Sequence, residues 1–467
     1  MPRRWYESRW PWLLAAALLL LSITLRIERP DRRPSGSAEE IERLAQRKDL
    51  NVLFILIDML RADRLGSYGY PRATSPTIDY LAQHGVRFAR HLSQSSWTKS
   101  SMASLWTSLY PLRAGVTRYD EGLPEEAQLP AEILKQAGFR TVGLYRNGWV
   151  APSFGFAQGF DTYERPIGTG VPATAIVRNP TVREGATDLD AVRAAAEFLK
   201  VRGKERWFLY LHLMDLHEYL YDPSTAIFGS SYSDVYDSAI LRTDRMIQQL
   251  LGDLATGGHL SNTLIAIGSD HGEAFLERGF EGHARNLYRE TQEVPLILAF
   301  PFRLEPGLTI ETRTQNVDLW PTLLDLLELP PLAPSDGRSR LPEILAAARG
   351  KPLPETQETA VAFLDQTWGT PQMKPAHTLS LLRGSLRYVL TYDRAGSGLK
   401  LEELFDASGD PGEKRDYFAE RPDASLALHE LAAAQLESET VWQEPPPKLE
   451  LDELQLNQLR ALGYAIP

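Results

Sequence analysis

Five apolar runs recur along the chain, and four of them end on Asp or Asn. Asn51 to Asp58 reads NVLFILID, Thr141 to Asn147 reads TVGLYRN, Trp207 to Asp215 reads WFLYLHLMD, and Thr263 to Asp270 reads TLIAIGSD. The fifth, Val294 to Phe300, reads VPLILAF. Apolar residues without alternation are what a strand needs when both of its faces are covered, as in a parallel sheet. Helical patterns separate the runs: PTIDYLAQHG, AEILKQAG, LDAVRAAAEFLKV, and the long SDVYDSAILRTDRMIQQLLGDLA, which Gly257 and Gly258 end. Strand alternating with helix predicts an α/β doubly wound, mainly parallel sheet. Such sheets bind ligands at the carboxyl ends of their strands, where these polar residues fall.

The texture changes near Pro330. PPLAPSDGRSR reads as a linker or loop, and AVAFLD, HTLSLL and LRYVLTY read as short strands, the last two joined by a tight RGS turn. The expected organisation is therefore a catalytic unit over 50–330 and a smaller antiparallel-sheet subdomain over 331–467. At the other end, Trp10 to Leu25 is a nearly unbroken apolar run preceded by Arg3, Arg4 and Arg9. Its length sits at the short end for a membrane span. No small-residue cleavage pattern follows closely, so an uncleaved anchor over 1–27 is favoured over a cleaved signal peptide. Residues 28–49, charged and containing Pro and Gly, read as a linker. A large unit behind one N-terminal span is most simply exported, which puts it on the outer side of a cell membrane.

Composition removes several classes of function. A net charge of -11 argues against nucleic acid as the main partner, because phosphate backbones need a basic face. The chain has no cysteine, so thiolate nucleophiles, disulfides and sulfur-ligated metals are excluded together. Any metal must sit on Asp, His, Glu or hydroxyl oxygen.

Asp58, at the end of a buried run, is costly unless something compensates its charge. SDHGE, Ser269 to Glu273, supplies Asp270 and His271 at the end of a second such run, so the three could meet across neighbouring strand ends. Oxygen and imidazole donors without sulfur suit one divalent cation, Zn or Mn, or with fewer nitrogens Mg or Ca. An Asp-His dipeptide alone is equally a surface turn. In SSWTKSSMASLWTSLYP, Ser95 to Pro111, Met102, Leu105, Trp106 and Leu109 recur at helical spacing, which sets Thr98 at or beside a helix N-cap. Two accounts of Thr98 follow. It caps a core helix with solvated neighbours, or it is a nucleophile at a helix N-terminus beside a cation, an arrangement suited to attack on phosphorus or sulfur. His217 follows the third strand run and His283 lies shortly after the Asp-His pair, and either could protonate a leaving oxygen or bind an anionic one; taken singly, each is more often a structural histidine than a catalyst. His212, inside a strand run, reads as core. Lys99, Asn147 and Asp215 are candidate substrate contacts.

Taken in order, VLFILID, SPTIDYLAQHGVRF, SMASLWTSLYP, GFAQGFDTY, LHLMDLHEYLYDP, IGSDHGEAFLERG, GHARNLYRE, NVDLWPTLLDLL, LEELFDASGDPGEKRDYF and LRALGYA resemble the sulfatase family of the alkaline phosphatase superfamily. The resemblance runs from about Leu50 to the C-terminus. It implies the α/β sulfatase fold with a small C-terminal subdomain, an anionic ester substrate and metal-assisted ester hydrolysis. The departures are informative. Against the family signature Cys-x-Pro-Ser-Arg, this chain has Thr98, Ser100, Ser101 and Met102; the modified position is thus Thr98, and the arginine that supports the hydrated aldehyde is Met102. Formylglycine arises from Cys or Ser, and the extra methyl of threonine prevents an aldehyde. Met59 replaces the second Asp of the usual pair, which leaves one metal site of Asp58, Asp270, His271 and Thr98. The pattern resembles a threonine-nucleophile branch that contains phosphodiesterases and membrane-anchored transferases. Three expectations follow: a phospho- or phosphonoester hydrolase, a transferase to an envelope glycan or lipid, or a non-catalytic binding protein.

Overall fold

The computed structural model describes residues 12–13, 31–168, 186–218, 226–353, 358–371, 373–392 and 398–461. Contacts divide the chain into Met1–Arg33 and Pro34–Pro467. Of the first unit, Trp12 and Leu13 are helical and exposed, and Arg33 pairs with Asp31 at 2.6 Å. The anchor expected over 1–27 otherwise lies outside the described residues. No described helix is long and apolar enough to cross a membrane.

In the second unit, β1 (Asn51–Ile57), β2 (Val86–Phe88), β4 (Arg140–Leu144), β5 (Thr162–Glu164), β6 (Trp207–Leu213), β7 (Thr263–Gly268), β10 (Leu296–Ala299) and β11 (Leu308–Ile310) form one sheet. Its order is β11-β2-β10-β7-β1-β6-β4-β5. All five apolar runs are strands of it. Every residue of β1, β6 and β7 is buried, because helices cover both faces. On one face Phe54 packs against Trp106, Tyr210 and Trp320. On the other, Leu53, Ile55 and Ile57 share a core with Tyr236, Ile240 and Ile247 of the helix Tyr232–Thr256. That helix starts where the Ser231 hydroxyl accepts from the Asp234 N–H and ends at Gly257. VPLILAF is the exception to parallel order: β10 runs antiparallel to β7.

Two short pairs flank the sheet, β3 (His91–Leu92) with β12 (Thr314–Gln315) and β8 (Ala274–Phe275) with β9 (Glu281–Gly282). A separate antiparallel sheet runs β13 (Thr359–Asp365), β14 (His377–Arg383), β15 (Leu386–Tyr392), β16 (Leu399–Asp406). Gly384, at φ +57°, makes the tight β14–β15 turn expected from RGS. The stretch read as a linker is folded from Pro34 onward: Ser35 bridges to Arg303, and Ile41 and Leu44 are buried in the main core.

Candidate active site

Asp58 follows β1, Asp270 follows β7 and Asn147 follows β4, so the parallel order brings them to one sheet edge. Asp58, Asp270 and His271 are fully buried, and their ligand atoms lie within 4.8 Å of one another. His271 Nδ1 lies 2.9 Å from the Gly272 carbonyl, an acceptor only, so Nδ1 is the donor and Nε2 faces the carboxylates. From Nε2, Asp270 Oδ2 is 3.3 Å away, Asp58 Oδ1 is 3.7 Å and Thr98 Oγ1 is 3.1 Å. The Asn147 amide donates to Asp58 Oδ2 at 2.6 Å and reaches Thr98 Oγ1 at 3.5 Å. Met59, next to Asp58, holds φ +51°, a costly conformation for a side chain of this size. It aims the Met59 N–H at Asp270 Oδ1, 3.1 Å away.

Electrostatics set the two carboxylates apart. Burial alone would raise Asp58; the hydrogen bond to His212 and the charges of His217, His271 and His212 outweigh it and hold Asp58 well below the usual carboxylate range. Burial and the neighbouring Asp58 charge push Asp270 up. Burial pushes His271 down, and the two carboxylates more than reverse that. Asp58 Oδ1 and Asp270 Oδ2 are buried and accept no hydrogen bond. Two such oxygens converging with an imidazole nitrogen and a hydroxyl fit a divalent cation, which would satisfy both.

Thr98 is the first residue of the helix Thr98–Thr107, and Trp97 is its N-cap. The N-terminal position read from the sequence is therefore correct to one residue. Solvated neighbours are not: all ten residues of the helix are buried. Ser101 donates to the Asp270 carbonyl, which ties the helix to the strand end. His217 and His283 meet, with Nε2 atoms 3.3 Å apart, and the His283 ring stacks on His271 at 4.5 Å.

Two candidate substrate contacts lie elsewhere. Lys99 Nζ donates to the carbonyls of Arg118 at 3.2 Å and Tyr119 at 2.7 Å and sits 3.8 Å from the centre of the Phe154 ring. Asp215 pairs with Arg146 and accepts from the Asp188 N–H at 3.0 Å, so it braces a loop. Burial and Asp215 together outweigh Arg146 and push Asp188 up to about 6. His212 is a partner of the site as well as a core residue. Its Nε2 is 3.4 Å from Asp58 Oδ2, and its Nδ1 lies 2.9 Å from the Tyr210 hydroxyl. Glu273 was also missed: it is buried, with Oε2 2.7 Å from His283 Nδ1. A cavity of about 670 Å³ beside β4 and β5, lined by Tyr145, Tyr163 and Arg165, contains none of the Asp58, Asp270, His271 and Thr98 group.

The profile of the sulfatase family matches residues 50–329. Steryl-sulfatase of Rattus norvegicus is 25% identical over 448 residues, covering 72% of this chain and 74% of its own length. N-acetylgalactosamine-6-O-sulfatase of Bacteroides thetaiotaomicron is 23% identical, covering 82% and 92%. Among solved structures, the phosphonate monoester hydrolase of Agrobacterium radiobacter has a TM-score of 0.64 at 18% identity and covers 86% of this chain and all of its own. That last likeness is one of fold.

Proposed function

The chain belongs to the sulfatase family and is a hydrolase acting on ester bonds, and on that premise we propose that it cleaves a phosphoric or phosphonic ester with Thr98 as nucleophile. The observation that carries the proposal is the Thr98 hydroxyl at a helix start, 3.1 Å from His271 Nε2 and beside two unsatisfied carboxylate oxygens. A threonine cannot become the hydrated aldehyde of the sulfatase signature, because its Cβ already carries a methyl group. It can attack directly and form a covalent ester, which water then cleaves. The choice of phosphorus over sulfur rests on Thr98 alone, since the fold is shared with sulfatases and with a phosphonate monoester hydrolase alike.

Asp58, Asp270, His271 and Thr98 would hold a divalent cation, which when bound supplies charge neutralisation and a lower pKa for the hydroxyl. The remaining roles belong to the chain. Asn147 ties Asp58 and Thr98 into one orientation through a single amide group. The first N–H groups of the helix Thr98–Thr107 have no carbonyl of their own helix to bond and face the anion held at Thr98. His217 and His283, paired at 3.3 Å with His283 stacked on His271, are assigned the protonation of the leaving oxygen in this proposal. The N-terminal run from Trp10 to Leu25 anchors this unit to a membrane in the same proposal. Enzyme quenched during turnover of a slow aryl phosphoester or phosphonoester is expected to carry the phosphoryl or phosphonyl group on the peptide containing Thr98, with the aryl alcohol released. An unmodified peptide together with a Thr98→Ala variant that still turns over would refute the nucleophile.

A further inference from the structure

Thr314, His91 and Asn316 form a line of buried polar groups that none of the roles above uses. His91 and Thr314 stand opposite each other in the β3–β12 pair, and Asn316 opens the turn Asn316–Asp318 that leads from β12 into the helix Leu319–Leu326. Asn316 Nδ2 lies 2.9 Å from the carbonyl of Ser269, just after β7, while its Oδ1 is 2.9 Å from His91 Nε2 and His91 Nδ1 is 2.8 Å from Thr314 Oγ1. A carbonyl only accepts, so Ser269 fixes the direction of every bond in the line. Asn316 turns its NH2 group to Ser269, His91 carries its proton on Nε2, and the Thr314 hydroxyl donates to Nδ1. Burial, with the charge of Arg340 added, outweighs the bond to Asn316 and pushes His91 down to about 3, so the neutral ring keeps this arrangement at ordinary pH.

Ser269 itself is a fork. Its hydroxyl accepts the Leu60 N–H at 2.8 Å and donates to the His271 carbonyl at 2.8 Å. Leu60 lies two residues after Asp58 and His271 directly after Asp270, so one side chain ties together the two loops that carry the candidate ligands. From this geometry we propose that Asn316, oriented by His91, is a positioning residue for the cation site: it holds Ser269 where its hydroxyl sets the spacing of Asp58 against Asp270 and His271. The proposal rests on the cation site described above. Asp58 Oδ1 and Asp270 Oδ2 are buried, accept no hydrogen bond and repel each other, so their closeness has to be enforced from the backbone. Ser269 and Asn316 supply that restraint from one side, and the Ser101 hydroxyl, which donates to the Asp270 carbonyl, supplies it from the helix. Groups behind the ligands hold a metal site in shape as much as the ligands do.

The test reads the metal alone. Mn(II) titrated by calorimetry into the chelator-treated, dialysed full-length protein should bind at a single site in the parent. Asn316→Leu keeps the shape of the side chain and removes the donor, and Ser269→Ala removes the hydroxyl at the other end of the link. Each should bind Mn(II) roughly 10–100-fold more weakly, the scale found when a group behind a metal ligand is lost. Thr314→Val breaks the bond of the same line that lies farthest from Ser269, and it should bind Mn(II) as the parent does. Asn316→Leu combined with Ser269→Ala should bind hardly more weakly than Ser269→Ala, because both act through one hydroxyl. The electron paramagnetic resonance spectrum of bound Mn(II) should change in Asn316→Leu and stay parental in Thr314→Val, a contrast that general loosening of the core does not produce. Asn316→Ser, smaller and still polar, repeats the measurement if Asn316→Leu does not fold. Parental affinity in the Asn316 variant or in Ser269→Ala, equal weakening by Thr314→Val, or additive losses in the double variant would overturn the proposal. A parent that takes up no Mn(II) would overturn it together with the cation site. The affinity is read without any substrate, so failure of the positioning role and failure of the ester-hydrolase reading give different results.

Discussion

One methyl group separates threonine from serine, and the proposed chemistry at position 98 turns on it. Thr98→Ser keeps the hydroxyl within reach of His271 Nε2 and should retain part of the activity, whereas Thr98→Ala should lower kcat by several orders of magnitude. A residue that only started a helix would behave differently. Its loss to alanine would cost about 1 kcal/mol of stability and leave turnover nearly unchanged. Steady-state kinetics and thermal melting on the two variants separate these roles. The same residue-scale reasoning covers the carboxylates. Asp58 Oδ1 and Asp270 Oδ2 are buried and accept no hydrogen bond, so chelation should abolish activity and lower the melting temperature. Asp270→Asn removes one of two facing charges while keeping the shape. It should therefore bind the cation far more weakly, by calorimetry, while the folded state without the cation is as stable as the parent or more so. Full activity after exhaustive chelation would rule out the assigned ligands.

At the scale of elements, the sheet was legible because a strand covered on both faces has to be apolar throughout. NVLFILI, WFLYLHL and TLIAIG are β1, β6 and β7, and the carboxyl ends of β1 and β7 carry Asp58 and Asp270. The same property hid His212. With every residue of β6 buried, alternation cannot sort a core histidine from one turned toward Asp58. Direction was hidden too, since VPLILAF reads alike whether β10 runs parallel or antiparallel. Glu273 was quoted within SDHGE, but only the β8–β9 hairpin, closed by a contact at Ala274 and Gly282, folds its carboxylate against His283. Lys99 and Asp215 failed for a related reason: distant backbone carbonyls and Arg146 claim their charges, and composition does not reveal such partners. Gly272 tests how tightly the loop is built. A Cβ there would stand 2.2 Å from the Glu290 carbonyl oxygen, so the backbone between His271 and Glu273 would have to move. Gly272→Ala should lose about 1–3 kcal/mol in denaturant unfolding and also lose cation affinity. A variant matching the parent in both would show that the loop has slack.

Across the whole molecule, the two ends of the main sheet have separate jobs. Asp58, Asp270, His271 and Asn147 occupy the carboxyl ends of the parallel strands. The chain enters the folded unit at the opposite end: the Gly36 N–H donates to the Arg303 carbonyl at 2.8 Å, and Arg303 follows β10, the strand that runs backward through the sheet. The antiparallel β13–β16 sheet is joined to the site loops through Glu413, fully buried between Arg387 of β15 and Arg278. Glu413→Leu would leave two arginines without their shared counter-charge and should cost about 3–5 kcal/mol in denaturant unfolding. The N-terminal end should tolerate far more. β1 is seven residues long, so roughly 23 Å of sheet separates the entry point from Asp58. Residues 34–47 are packed into the core through Ile41 and Leu44, and Pro34 begins the second unit. A chain beginning at Pro34 should therefore be soluble without detergent, melt like the parent, and keep kcat/KM within about twofold, since changes remote from a site rarely exceed about 0.5 kcal/mol. The same truncation should abolish partition into membranes if Trp10 to Leu25 is the anchor. Membrane partition that survives the deletion would transfer that role to a surface of the folded unit, and a fall in kcat/KM with an unchanged melting temperature would show that the N-terminal segment serves the site itself.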